Sequence, residues 1–156
     1  MKGPSGKSNK GEPSSQMIDT IRDQFNLQGD DPGQYSPLSL AFIGDAVYGE
    51  VAKTIVVLRG NCPADALNRK SVKYVKAVSQ AKAADYLLDS GMFTDEEAAI
   101  YKRGRNAKSP TGAKNASVGD YRKATGLEAL VGYLYLKGDI DRVLELMKII
   151  IEYLDG

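Results

Sequence analysis

From residue 17 onward, apolar residues recur at spacings of three and four, with no convincing period-two stretch, and the pattern predicts an all-α fold. The longest predicted helix covers residues 37–58. Ser36 is placed as its N-cap, Pro37 at its first helical position and Gly60 beyond its end, giving about six turns at 3.6 residues per turn. A weak apolar pattern through Ile18, Ile21 and Phe25 predicts a short docking helix over 17–27, followed by a polar linker at 29–33. Pro63, read as a first helical residue, opens a helical region running to about residue 88. It is expected to break near Ser71 and to close at Gly91. Thr94 and Glu97 form a capping box that starts the next helix. Ser117 caps a helix over 118–137 that ends at Gly138, with Leu127, Leu130, Val131 and Leu134 as its stripe. Asp139 caps the last helix, whose Ile140, Val143, Leu144, Met147, Ile150, Ile151 and Leu154 read as core scaffold.

Two acids interrupt these apolar patterns. Residues 37–58 carry only Asp45, Glu50 and Lys53 as charges, and on a helical wheel Asp45 adjoins Leu38, Ala41, Phe42, Tyr48, Gly49 and Ala52. Its carboxylate is therefore expected to emerge from a packed face. A buried, unpaired carboxylate costs several kcal/mol, so it calls for a partner, a proton or a metal. A core acid paired with a lysine is an equal alternative to a catalytic one. A membrane span is disfavoured by the three charges and two glycines inside the stretch. Residues 54–58 also read as a short strand, but they continue the helical pattern. Glu128 is the second such acid; its neighbours Ala124, Thr125, Val131 and Gly132 are small or apolar and imply close approach of another helix.

Length and composition narrow the classes. At 156 residues, one domain over 35–156 is expected, preceded by a short helix and linker at 17–34. Residues 1–16 are Gly, Ser, Pro and Lys with almost nothing to bury and are read as a disordered or extraneous tail. The only cysteine, Cys62, excludes an internal disulfide and is read as a small filler residue. The start lacks an apolar signal-peptide core, and a reducing cytoplasm is expected. The chain has no histidine, which excludes the usual serine and cysteine triads, a histidine base and imidazole metal ligands. Carboxylates with a hard cation such as Mg²⁺ remain as catalytic machinery.

The net charge of +1 gives no global field, yet charge is clustered. Residues 102–123 hold seven bases and one acid, a local +6, with Lys102, Arg103, Arg105, Lys108 and Lys114 punctuated by Gly104, Pro110 and Gly112. This is a candidate anion-binding loop, the alternative being a solvated connection. Arg69, Lys70, Lys73, Lys76 and Lys82 are the only charges between Asp65 and Asp85; they form either a solvated face or a phosphate-facing one.

The acid-bearing stretches LSLAFIGDAVYGE and TGLEALVGYLYLKGD, in this order with a basic region between them, resemble the signature helix and the later acid-bearing helix of the ribonuclease III family. The resemblance covers about residues 35–156. The chain stops at Gly156 directly after the last helix, without the double-stranded-RNA-binding domain of the longer enzymes, and so looks like the Mini-ribonuclease III branch; RGRNAKS is similar to that branch too. The resemblance implies a ribonuclease III-type helical endonuclease domain that hydrolyses double-stranded RNA as a homodimer. Its signature helices would pack across a two-fold axis, and its substrate would be the 23S ribosomal RNA precursor. A ribosomal protein is a further possible partner, and no membrane is implied.

The resemblance also exposes two departures. The family places a Glu one turn before the signature Asp and an Asp three residues before the later Glu; here those positions are Ala41 and Thr125. Only Asp45 and Glu128 are carried over, as catalytic residues and ligands of Mg²⁺, with Mn²⁺ as a substitute. Lys102, Arg103, Arg105, Asn106 and Lys108, with Lys73 and Lys76, are expected to contact RNA. The alternative to an enzyme is a catalytically silent module of the same fold that binds structured RNA or ribosomal particles.

Overall fold

The computed structural model describes residues 16–108 and 117–156. Of the expected tail only Gln16 falls within them; Pro110, Gly112 and Lys114 of the basic segment lie outside the described residues. Among the described residues there are seven α-helices and no strand: α1 (Gln16–Phe25), α2 (Pro37–Arg59), α3 (Ala64–Val75), α4 (Ala77–Asp89), α5 (Asp95–Asn106), α6 (Val118–Lys137) and α7 (Ile140–Asp155).

Local signals set most of these ends. The Ser36 hydroxyl accepts from the Ser39 N–H at 3.1 Å with Pro37 just inside α2, and residues 54–58 continue that helix. Thr94 and Glu97 satisfy each other's backbone N–H groups at 3.1 and 3.0 Å, a complete capping box. Ser117 caps α6 through the Asp120 N–H. Gly138, with φ +86°, then turns the chain so that the Asp139 N–H reaches the Leu134 carbonyl at 2.9 Å. Asp139 in turn caps α7.

Two boundaries differ from expectation. Pro63 lies one position before α3, its carbonyl taking the first helical N–H groups. The break expected near Ser71 falls at Lys76, which is extended (φ −71°, ψ 152°) between α3 and α4. Tertiary contacts hold that joint. The Tyr48 hydroxyl of α2 donates to the Tyr74 carbonyl at 2.7 Å, and the Gln80 Nε2 of α4 donates to the Val75 carbonyl at 3.2 Å. These are carbonyls that the end of α3 leaves without helical partners.

Helix α6 is the centre, buried at almost every position from Ala124 to Tyr135 and packed by α2, α4 and α5. Small residues allow that density. A Cβ at Gly44 of α2 would lie 1.7 Å from the Glu128 carbonyl oxygen, and one at Gly132 would lie 2.0 Å from that of Leu40. The α2 and α6 backbones therefore touch. On another side of α6, a Cβ at Gly126 would lie 2.7 Å from the Tyr101 carbonyl, and one at Gly104 would lie 2.8 Å from the Ala129 Cβ. Helix α7 is braced to α5 by Arg142, whose guanidinium meets the buried Glu97 carboxylate at 2.8 and 2.9 Å. The docking helix expected near the start inserts Ile18 into the core, while the Arg22 guanidinium donates to the Leu136 carbonyl.

Candidate active site

The α2–α6 crossing brings together the two acids singled out in the sequence. Asp45 follows Gly44, the residue whose missing side chain admits the Glu128 backbone, and the two carboxyl groups are within hydrogen-bonding reach of each other. Asp45, however, is exposed. Of its expected neighbours Phe42 is 82% exposed and Leu38 37%, while Ala41, Tyr48 and Ala52 are buried, so Asp45 stands at the open edge of the packed face. Leu40, Ala41, Gly44, Val47, Tyr48, Ala52 and Val56 carry the packing of α2. Neither does Asp45 pair with a lysine among the described residues.

The electrostatic cost falls on Glu128. Burial first, and then the Asp45 carboxylate beside it, pushes the Glu128 carboxyl up to about 8, while a contact with the Gln80 side chain pulls the other way. Burial and the nearby Glu128 also hold the Tyr48 hydroxyl well above its ordinary value. Ala41 and Thr125, at the positions of the two absent carboxylates, are both buried. The Thr125 hydroxyl turns back onto its own helix, donating to the Tyr121 carbonyl at 2.9 Å. Among the described residues no group of three or more acidic, thiol or imidazole side chains is placed to hold a metal ion. Two adjacent carboxylates still fit a hard divalent cation, which would neutralise their repulsion and take its other oxygens from water or phosphate.

Gly104, between Arg103 and Arg105, packs against Thr125, Gly126 and Ala129, the segment of α6 that carries Glu128. The basic end of α5 thus lies on the same stretch of α6, and no base is among the groups that shift the Glu128 carboxyl. Lys102, Arg103, Asn106 and Lys108 are exposed there. Arg105 is half-buried, its guanidinium 5.6 Å from the centre of the Tyr101 ring and its Nε 3.5 Å from Asn106 Oδ1. Lys76 is exposed at the α3–α4 joint, four residues before Gln80. Lys73 is engaged elsewhere: its Nζ lies 2.8 Å from Asp155, which also takes the Tyr74 hydroxyl and the Arg59 guanidinium. Hydrogen bonds from Lys73, Tyr74 and Arg59 draw the Asp155 carboxyl down to about 2. Cys62 is half-buried with Lys70 Nζ at 3.7 Å. An apolar groove of about 590 Å³ between α2 and α7, lined by Val47, Val51, Ile55, Val143, Met147 and Ile151 among others, contains neither acid.

Sequence reasoning missed Gln80. Its side chain is fully buried beside Glu128, and its Oε1 has no hydrogen-bond partner among the described residues. A buried acceptor left unpaired costs about 1–3 kcal/mol. The signal was the one that exposed Asp45: Gln80 shares a helical face with Ala83, Ala84 and Leu87, a lone polar residue in an apolar stripe.

Comparison with known proteins identifies the family of the fold. Residues 38–139 match the family described as the ribonuclease III domain. A Mini-ribonuclease 3 of Staphylococcus aureus is 47% identical over 116 residues, covering 74% of this chain and 87% of the relative. One from a Thermoanaerobacter species is 44% identical, covering 77% and 83%. The crystal structure of a Fusobacterium nucleatum protein superposes with a TM-score of 0.70 at 28% identity, covering 80% of this chain and 98% of that one. The matched segment contains both acids and the helices that cross to join them, and the chain belongs to the ribonuclease III family, in its Mini-ribonuclease 3 branch of endoribonucleases.

Proposed function

We propose that this endoribonuclease cuts double-stranded RNA at the Asp45–Glu128 pair with the aid of a divalent cation, Mg²⁺ or Mn²⁺. The observation that carries this reading is the adjacency of the two carboxyl groups at the α2–α6 crossing, with the basic end of α5 packed on the same stretch of α6. When bound, such a cation supplies a water that ionises near neutral pH and charge stabilisation for the leaving oxygen. Asp45 and Glu128 would hold it through carboxylate oxygens. Lys102, Arg103 and Lys108, with Arg105, Asn106 and Lys76, bind and orient the phosphates, a contact that follows duplex shape and charge rather than base sequence.

The chain is proposed to act as a homodimer in the cytoplasm, on the 23S ribosomal RNA precursor, presented alone or by a ribosomal protein. An open apolar face of α2 with Phe42 at its surface supports the dimer. The precursor rests on the resemblance to the branch. Among the described residues no helix is long and apolar enough to cross a membrane.

The test is incubation of pure protein with duplex RNA with and without Mg²⁺. Metal-dependent cuts on both strands are expected. Binding without cutting in either Mg²⁺ or Mn²⁺ would favour a silent RNA-binding module.

A further inference from the structure

Beside Glu128 lies a buried amide that also braces the α3–α4 joint. Gln80 stands in the first turn of α4, directly after the extended Lys76. One end of its amide is fixed, Nε2 donating to the Val75 carbonyl at 3.2 Å, and the same side chain reaches the Glu128 carboxyl. Its backbone is fixed as well, the Gln80 N–H meeting the Lys76 carbonyl at 3.1 Å. With 1% of its surface exposed, the side chain has little room for a second rotamer. A leucine would suit the stripe of Ala83, Ala84 and Leu87 and leave no Oε1 unpaired, but it would take the donor from the Val75 carbonyl. The amide therefore braces the joint and stands beside Glu128 at once.

We propose that Gln80 is a positioning residue, a buried clamp that holds the Glu128 carboxyl against Asp45 in the orientation that receives the divalent ion. The inference rests on the metal reading above. Ligating carboxylates are oriented by hydrogen bonds from a second layer, and removing such a partner typically costs ten- to a hundredfold in metal affinity or activity. Here the absence of acids at positions 41 and 125 leaves Glu128 with fewer neighbours to aim it, which concentrates that task on Gln80. The Val75 anchor also couples the clamp to the α3–α4 joint where Lys76 is exposed.

The test compares wild type with Gln80→Leu in two measurements. Ca²⁺, which shares the preference for hard oxygen ligands, is titrated calorimetrically in the presence of duplex RNA, and Mg²⁺-dependent cleavage is followed as kcat and KM. Gln80→Leu is expected to bind Ca²⁺ about ten- to a hundredfold more weakly and to lose kcat by a similar factor. KM for RNA should stay within about twofold, and Tm should move by only about 4 °C, the scale of a small stability change in a chain of this size. In a Glu128→Gln background the same substitution should change Ca²⁺ affinity no further, since Gln80 acts through Glu128. Ca²⁺ affinity within twofold of wild type, or an equal loss on top of Glu128→Gln, overturns the inference. So does a lower Tm with unchanged kcat, which would make Gln80 a brace for the Val75 carbonyl alone. Should leucine prevent folding, Gln80→Met, unbranched and of similar length, is judged by the same outcomes. Wild-type protein that neither binds divalent ions with RNA nor cuts with them overturns the proposed function itself, and the Gln80 inference with it.

Discussion

Gly44 of α2 lies directly against the Glu128 backbone of α6, so closely that a single added methyl would meet the carbonyl oxygen at 1.7 Å. Because Asp45 is the next residue, this contact sets the separation of the two carboxyl groups. Gly44→Ala must push the helices apart. Overpacking of a core typically costs 1–3 kcal/mol, and contact with backbone rather than a yielding side chain places this substitution at or above about 3 kcal/mol. Cleavage should fall with it. A thermal melt matching wild type would show that the crossing has slack.

Asp45→Asn and Glu128→Gln keep side-chain size and remove ligand charge. Each should lower cleavage in Mg²⁺ by at least about a hundredfold, the scale seen when one preorganised electrostatic group is lost. Gel-resolved rates on duplex RNA measure this, and a near wild-type rate removes the residue from the site.

The raised Glu128 carboxyl also predicts a pH dependence in the metal-free protein. Its folded value, about 8, lies above the ordinary 4.5, so its contribution to stability is fully present below 4.5 and is lost as pH rises through 8. Urea unfolding in chelator should therefore show wild type weakening across this window. Glu128→Gln should lack that component. Identical pH profiles would mean that Glu128 is not desolvated beside Asp45.

The basic residues divide into two groups. Neutralising two of Lys102, Arg103 and Lys108 should flatten the salt dependence of RNA binding by a log–log slope of about 0.7–0.9 per lost contact. Lys73, held by Asp155 at 2.8 Å, should behave otherwise. Lys73→Met is expected to lower stability and leave the salt slope unchanged. Filter binding over a salt series, with melts alongside, separates the two.

Ala41→Glu with Thr125→Asp restores the fuller carboxylate pattern. Both positions are buried, so the metal-free double variant should be destabilised by unpaired charge. Added ligand charge should tighten Mg²⁺ binding without RNA, and Mg²⁺ should raise its Tm more than that of wild type. Calorimetry that finds no gain in affinity would place these two positions away from the ion.

The helices that sequence reasoning placed well are those whose ends are chemically local: the Ser36 cap, the box of Thr94 and Glu97, and the turn at Gly138. The joint at Lys76 was not legible, because one of the bonds that make it comes from Tyr48, far along the chain, and the other from Gln80, whose polar side chain in an apolar stripe does not by itself mark a break. Both acids were readable as polar interruptions of apolar stripes. Their division of labour was not. Which face of α2 is covered depends on which neighbour packs there, so the sequence placed packing around both acids, whereas the structure leaves Asp45 exposed and Glu128 half-buried. Lys73 shows the same limit: a base in a basic run looks free until the chain brings Asp155 to it.

The depth of α6 bears on how the enzyme fails when heated. Glu128 sits on the most enclosed helix, gripped through glycine contacts on two sides, so its amides should exchange with solvent only when the whole chain opens. The acid pair then has no partially melted form of its own. Inactivation and global unfolding become one event, and a substitution that steadies even a distant helix lengthens the working life of the site by the same measure.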